Sequence, residues 1–128
     1  MDYFADKTPH LPLIRFDKGN MLIAGRSIPE DSAAVYEPLY KALMEYAIHP
    51  AVHTEVNIML EYANSSTNRS LMTLFEYLYD LLFKNEKSVT VNWFYVEADT
   101  EMFELGSDFK DIVQIPFVII EVKDFPES

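Results

Sequence analysis

The densest run of chemistry-bearing side chains is Asn64-Ser65-Ser66-Thr67-Asn68-Arg69-Ser70, inside EYANSSTNRSLMTLF (Glu61–Phe75). Hydroxyls and amides at this spacing can do two things. They can cap a helix, a side-chain oxygen accepting from an unsatisfied N–H of the first turn. They can also carry a phosphoryl group, because the same N–H groups and the positive end of the helix dipole favour an anion. A phosphate on Ser65 or Ser66 adds about −1.5 to −2 charges near neutral pH. Arg69, one helical turn after Ser65, can pair with it. Asn64 and Thr67 support either role, so the pattern alone leaves cap and switch both open.

The remaining candidates point to less. His49 and His53 have i, i+4 spacing, but Pro50 breaks a shared helix face, so both read as loop histidines and no metal site is expected. Glu97, Asp99, Glu101 and Glu104, with Asp108 and Asp111, offer carboxylates that a small enzyme or ligand-binding domain could use. Carboxylates at the start of a helix and on a solvated face explain them more simply. The glycines are Gly19, Gly25 and Gly106, which form neither a phosphate-cradling loop nor a Gly-x-Ser-x-Gly elbow. No catalytic residue and no cofactor is assigned.

The elements that position the hydroxyl run emerge from periodicity. After a loose lead-in over residues 1–8, Leu11–Phe16 and Met21–Gly25 read as strands joined by the turn Asp17–Asn20. A helix comes next, with Asp31 or Ser32 as N-cap and an apolar face of Val35, Leu39, Leu43 and Tyr46; it starts near Pro38 or kinks there. His53–Tyr62 alternates as a strand, Thr54, Val56, Ile58, Leu60 and Tyr62 facing one way. Leu71, Leu74, Phe75, Leu78, Leu81 and Leu82 mark the strongest helix. Ser88–Val96 is a strand, and packing explains its Trp93-Phe94-Tyr95 run. Residues 99–113 are helical, with Gly106 an anomaly in the middle, and Pro116–Val122 is the last strand. The order β-β-α-β-α-β-α-β implies a single α/β domain with a mixed sheet and crossover helices. The Asn64–Ser66 junction falls at the C-terminal ends of the parallel strands, where sites of open α/β sheets form.

The 128 residues carry a formal net charge of −11 and no cysteine. Such a chain repels nucleic-acid backbones and anionic membranes and has no disulfides or thiolate chemistry. No apolar run reaches transmembrane length and the first residues show no signal-peptide pattern, so a cytoplasmic location is expected.

Four segments, FDKGNMLIAGRSIPEDSAAVYEPL, MLEYANSST, VNWFYVEADTEMFELGSDF and QIPFVIIEV, together resemble the SiaC-type bacterial regulatory phosphoproteins, which look like STAS-domain anti-sigma-factor antagonists. The match spans about Thr8 to Val122. The resemblance implies a STAS-like regulator without enzymatic activity. It further implies that one hydroxyl after the third strand is phosphorylated by a dedicated protein kinase and cleared by a PP2C-like phosphatase, and that the unphosphorylated form activates a diguanylate cyclase, raising cyclic-di-GMP and promoting biofilm. By position the family's Asn falls on Asn64, its phosphorylated Thr on Ser65 and the following Ser on Ser66, while Thr67 replaces a second Ser. Ser65 is thus the first-choice acceptor and Ser66 the second. A constitutive scaffold or an anti-anti-sigma-like partner switch are the alternatives within the same class.

Overall fold

The computed structural model describes residues 2–126. Its first strand, β1 (Tyr3–Ala5), pairs antiparallel with β2 (Leu13–Asp17), Phe4 opposite Arg15. This corrects the expected loose lead-in over residues 1–8. A strand of three residues has no room to show alternation, and its partner lies beyond a loop, so nothing local announces it. The order is therefore β-β-β-α-β-α-β-α-β, with a short 3-10 turn (Phe83–Asn85) after the second helix.

β2 and β3 (Asn20–Ser27) form the expected hairpin. Lys18 and Gly19 both have positive φ, 50° and 86°, the pair of values that fits a two-residue turn to the twist of its strands. From β3 the sheet is parallel through β4 (His53–Ala63), β5 (Ser88–Val96) and β6 (Phe117–Val122). The crossovers are α1 (Ser32–Tyr46), α2 (Ser65–Leu81) and α3 (Thr100–Ile112). All six strands lie side by side in chain order. Right-handed crossovers between adjacent strands put every helix on the same face. Burial agrees: Ile23 of β3, Ile58 and Leu60 of β4 and Val91 and Trp93 of β5 share one core with Leu39 and Leu43 of α1, Leu71 and Leu78 of α2 and Phe109 of α3.

α1 starts at Ser32, not near Pro38, with Asp31 as its cap. It runs through Pro38, since burial of Tyr36, Leu39, Tyr40 and Leu43 outweighs the one backbone bond a proline forfeits. Gly106, anomalous as a mid-helix residue, has a packing reason. A Cβ there would run into the indole of Trp93, which is fully buried and donates from Nε1 to the Met102 carbonyl at 2.9 Å.

β4 alternates as expected as far as Leu60 and then departs from the pattern. Gly25 faces Leu60 but Arg26 faces Tyr62, leaving Glu61 as the extra residue of a β-bulge. The bulge reverses the facing of the residues beyond it. Tyr62, expected beside Leu60, is 51% exposed. Its ring lies under the Arg26 guanidinium, 5.5 Å from the centroid. The bulge thus sets the direction in which the chain enters the Asn64 junction.

Candidate functional site at the start of α2

Asn64 is the N-cap of α2. Its Oδ1 accepts from the Thr67 N–H at 2.8 Å, and its Nδ2 donates to the Pro29 carbonyl at 2.8 Å. One side chain therefore satisfies a first-turn donor and ties α2 to the loop between β3 and α1. The Asn64 N–H donates to the Ser27 carbonyl at 3.1 Å, continuing the β3–β4 pairing into the cap.

The hydroxyls after Asn64 have separate fates. Thr67 is fully buried and donates to the Ser27 carbonyl at 2.9 Å. Its proton being committed, the 2.7 Å contact with Ser27 Oγ is a donation from Ser27, and the 2.9 Å contact between Ser27 and Tyr36 is a donation from the phenol. Ser66 donates to Ser32 Oγ at 2.7 Å, and Ser32 donates to the Ser66 carbonyl at 2.7 Å. Ser70 meets Ser32 Oγ at 2.6 Å, and Tyr40 donates to the Ser70 carbonyl at 2.6 Å. Burial pushes the Tyr40 phenol up to about 12 and lifts Tyr36 well above the ordinary tyrosine range. Both phenols therefore stay neutral donors at neutral pH.

Ser65 is the exception. It is exposed at the first helical position, and its hydroxyl makes no hydrogen bond among the described residues. The N–H groups of Ser65 and Ser66 belong to the open first turn and have no intrahelical acceptor. Arg69, one turn on, is exposed and forms no ion pair among the described residues. α2 has no acidic residue in its first turn. Beside it, a cleft of about 310 Å³ is lined by Glu61, Tyr62, Asn68, Asp99 and Met102, and the Asn68 Oδ1 in its wall is buried without a hydrogen-bond partner.

The other candidates are spread apart. Asp99 caps α3, accepting from the Met102 N–H at 3.1 Å, while Glu97, Glu101, Glu104, Asp108 and Asp111 are exposed. That is the capping and solvated-face arrangement rather than a convergent pair. His49 is exposed after α1, whereas His53 opens β4 and contacts Ser88 Oγ at 2.7 Å. No group of three or more metal-ligating side chains gathers among the described residues.

A family model described as SiaC family regulatory phosphoprotein matches residues 5–122. The chain belongs to the SiaC family. Its α/β architecture is also that of solved SiaC structures. Apo-SiaC from Pseudomonas aeruginosa superposes with a TM-score of 0.85 at 22% identity, over 94% of this chain and 98% of that one. The SiaC chain in a crystal structure of the diguanylate cyclase SiaD in complex with its activator SiaC, from the same organism, gives a TM-score of 0.87 at 22% identity, over 94% and 100%. No curated protein matches the sequence. No helix among the described residues is long and apolar enough to cross a membrane.

Within this SiaC-family fold, Asn64, Ser65, Ser66, Thr67 and Arg69 do share one helix start at the sheet edge. Of the groups that stand behind them, sequence reasoning missed Ser27, Tyr36 and Tyr40, and it named Ser32 only as a candidate cap of α1 and Ser70 only as part of the hydroxyl run. The available signal was the i, i+4 spacing of Tyr36 and Tyr40 on α1, beside serines at both ends of the β3–α1 loop.

Proposed function

We propose that this SiaC-family member is a non-enzymatic switch in which phosphorylation of Ser65 controls docking to a diguanylate cyclase. One observation carries the choice of residue. In the run of hydroxyls at the start of α2, Ser65 is exposed and unbonded, whereas Ser66 is tied to Ser32 and Thr67 is buried against Ser27. A kinase can present ATP to Ser65 without dismantling the junction; Ser66 must first break from Ser32. The product phosphate sits over the first-turn N–H groups and within reach of Arg69. A protein kinase adds it and a PP2C-like phosphatase removes it. The solved complex of a SiaC with a diguanylate cyclase supports the partner class. Added charge at this edge weakens the docked state, so the unmodified form is the activator of cyclic-di-GMP synthesis.

The test is fragment mass spectrometry on the chain co-expressed with the kinase of its own host. Phosphate on Ser65, abolished by Ser65→Ala and retained in Ser66→Ala, is the expected result. Phosphate on Ser66 or Thr67 would reassign the acceptor. An unmodified junction, with Ser65→Ala leaving cyclase activation and its regulation unchanged, would leave a constitutive partner-binding scaffold.

A further inference from the structure

The helices cover one face of the sheet, and the other face carries none. Parallel strands are ordinarily covered on both faces, so the content of this second face decides what it can bind. Its register divides it in two. Toward the N-terminal ends of β4 and β5 it is polar and self-satisfied, Asn92 donating to Glu55 at 2.9 Å and to Asn57 at 3.0 Å. Farther along it is apolar: Leu13 pairs with Ala24, and Ala24 with Met59, in one row across β2, β3 and β4.

The segment after β6 in the same chain reaches this apolar part. Phe125 and Pro126 wall a cavity of about 240 Å³ floored by Leu13, Leu22, Ala24 and Met59. Leu13 is only 7% exposed, while Leu22, Ala24 and Met59 are half-buried, so this part of the face is partly covered. The cover is loose in two respects. Among the described residues none of Lys123 to Pro126 makes a hydrogen bond or ion pair, so packing alone holds them. Packed interiors leave few voids larger than a water, yet a cavity the size of a large side chain remains beneath. The rim adds a charge preference. Lys7 and Arg15 border it against one carboxylate, Glu61, in a chain with 21 acidic and 10 basic residues. The sequence around the covering pair suits that rim, because Asp124 precedes Phe125-Pro126 and Glu127 follows it.

We propose that the apolar part of the helix-free face is a peptide-docking surface, covered in the isolated chain by Phe125 and Pro126 and taken by a partner segment of the same chemistry: an aromatic–proline pair flanked by acidic residues. It lies on the opposite face of the sheet from α2, so it can operate whatever the state of Ser65. The intramolecular cover lowers the apparent affinity for such a segment by the fraction of time the face is open.

The experiment titrates an acetylated peptide of the sequence KDFPES into full-length, isotope-labelled chain and follows the amide resonances. Phe125→Ala, a change outside the core, should bind the peptide about tenfold more tightly than the unaltered chain. Shifts should be confined to residues 13–24 and 57–61. Arg15→Glu in the Phe125→Ala background should weaken binding, and a peptide with Ala in place of Phe should produce no shifts. A folded Phe125→Ala chain that ignores the peptide, binds it no better than the unaltered chain, or shifts at α1–α3 instead would overturn the proposal. So would dimerisation of Phe125→Ala without any peptide response, which would make the face a self-association surface.

Discussion

Two helix starts stand side by side on one edge of the sheet, α2 after β4 and α3 after β5, and they are capped alike. Asn64 accepts from the N–H three residues on at 2.8 Å, and Asp99 does the same at 3.1 Å. They differ in charge and in anchorage. α3 has an aspartate cap and Glu101 in its first turn, so the negative charge that a helix start favours is built in. α2 has a neutral cap, no first-turn acid and an exposed serine in the first helical position. Behind α2, buried hydroxyls of Ser27, Thr67, Ser32 and Ser70 lock the junction to β3 and α1; behind α3, the close contact is Gly106 against Trp93. The same cap thus serves fixed charge in one place and, in the proposed switch, charge that can be added in the other. A firmly anchored junction lets such a charge act on a partner rather than on the fold.

That contrast can be broken most forcefully at Thr67. Thr67→Val keeps the shape but leaves the buried Ser27 hydroxyl without an acceptor for its proton and removes one of the two donors to the Ser27 carbonyl, which should cost about 1–3 kcal/mol in urea unfolding. The matching change at the exposed Thr100 of α3 should stay within about 0.5 kcal/mol. Equal losses at the two sites would contradict the difference in anchorage. Asn64→Ala should come next, at about 1–2 kcal/mol, and should exceed Asp99→Ala because Asn64 also holds the Pro29 carbonyl. A larger loss at Asp99 would reverse the comparison.

A further effect appears only in alkali. The folded-state pKa values of Tyr36 and Tyr40 are raised, chiefly by burial. Their contribution to stability is whole below the unfolded tyrosine value of about 10 and declines above it, as the unfolded chain loses protons that the folded chain keeps. For Tyr40 the decline runs to about pH 12. Unfolding followed from pH 9 upward should show this, and Tyr40→Phe should flatten part of it; a stability that rises over this range would contradict it. The smallest effect is Ser65→Ala, within about 0.5 kcal/mol of the unaltered chain, because the hydroxyl holds nothing. A large loss there would show that Ser65 is structural.

Much of this arrangement is legible in the sequence where the signal is local and periodic. α2 is evident from its leucine spacing, and the position of its start at the sheet edge from the strand before it. The features that escape are long-range. β1 is visible only through its pairing with β2, the bulge at Glu61 only through the slip against β3, and the role of Gly106 only through Trp93. At the site, the spacing places Asn64, Ser65, Ser66 and Thr67 together but cannot rank the hydroxyls. The ranking depends on Ser27 and Ser32, which approach from more than thirty residues away, separated by 40 and 34 positions from Thr67 and Ser66.

The most direct measurement is a calorimetric titration of the diguanylate cyclase with this chain, unmodified and homogeneously phosphorylated on Ser65, at matched ionic strength. Phosphorylation should weaken binding by about tenfold or more, with Ser65→Glu weakening it in the same direction. Equal or tighter binding of the phosphorylated chain would contradict a switch at Ser65.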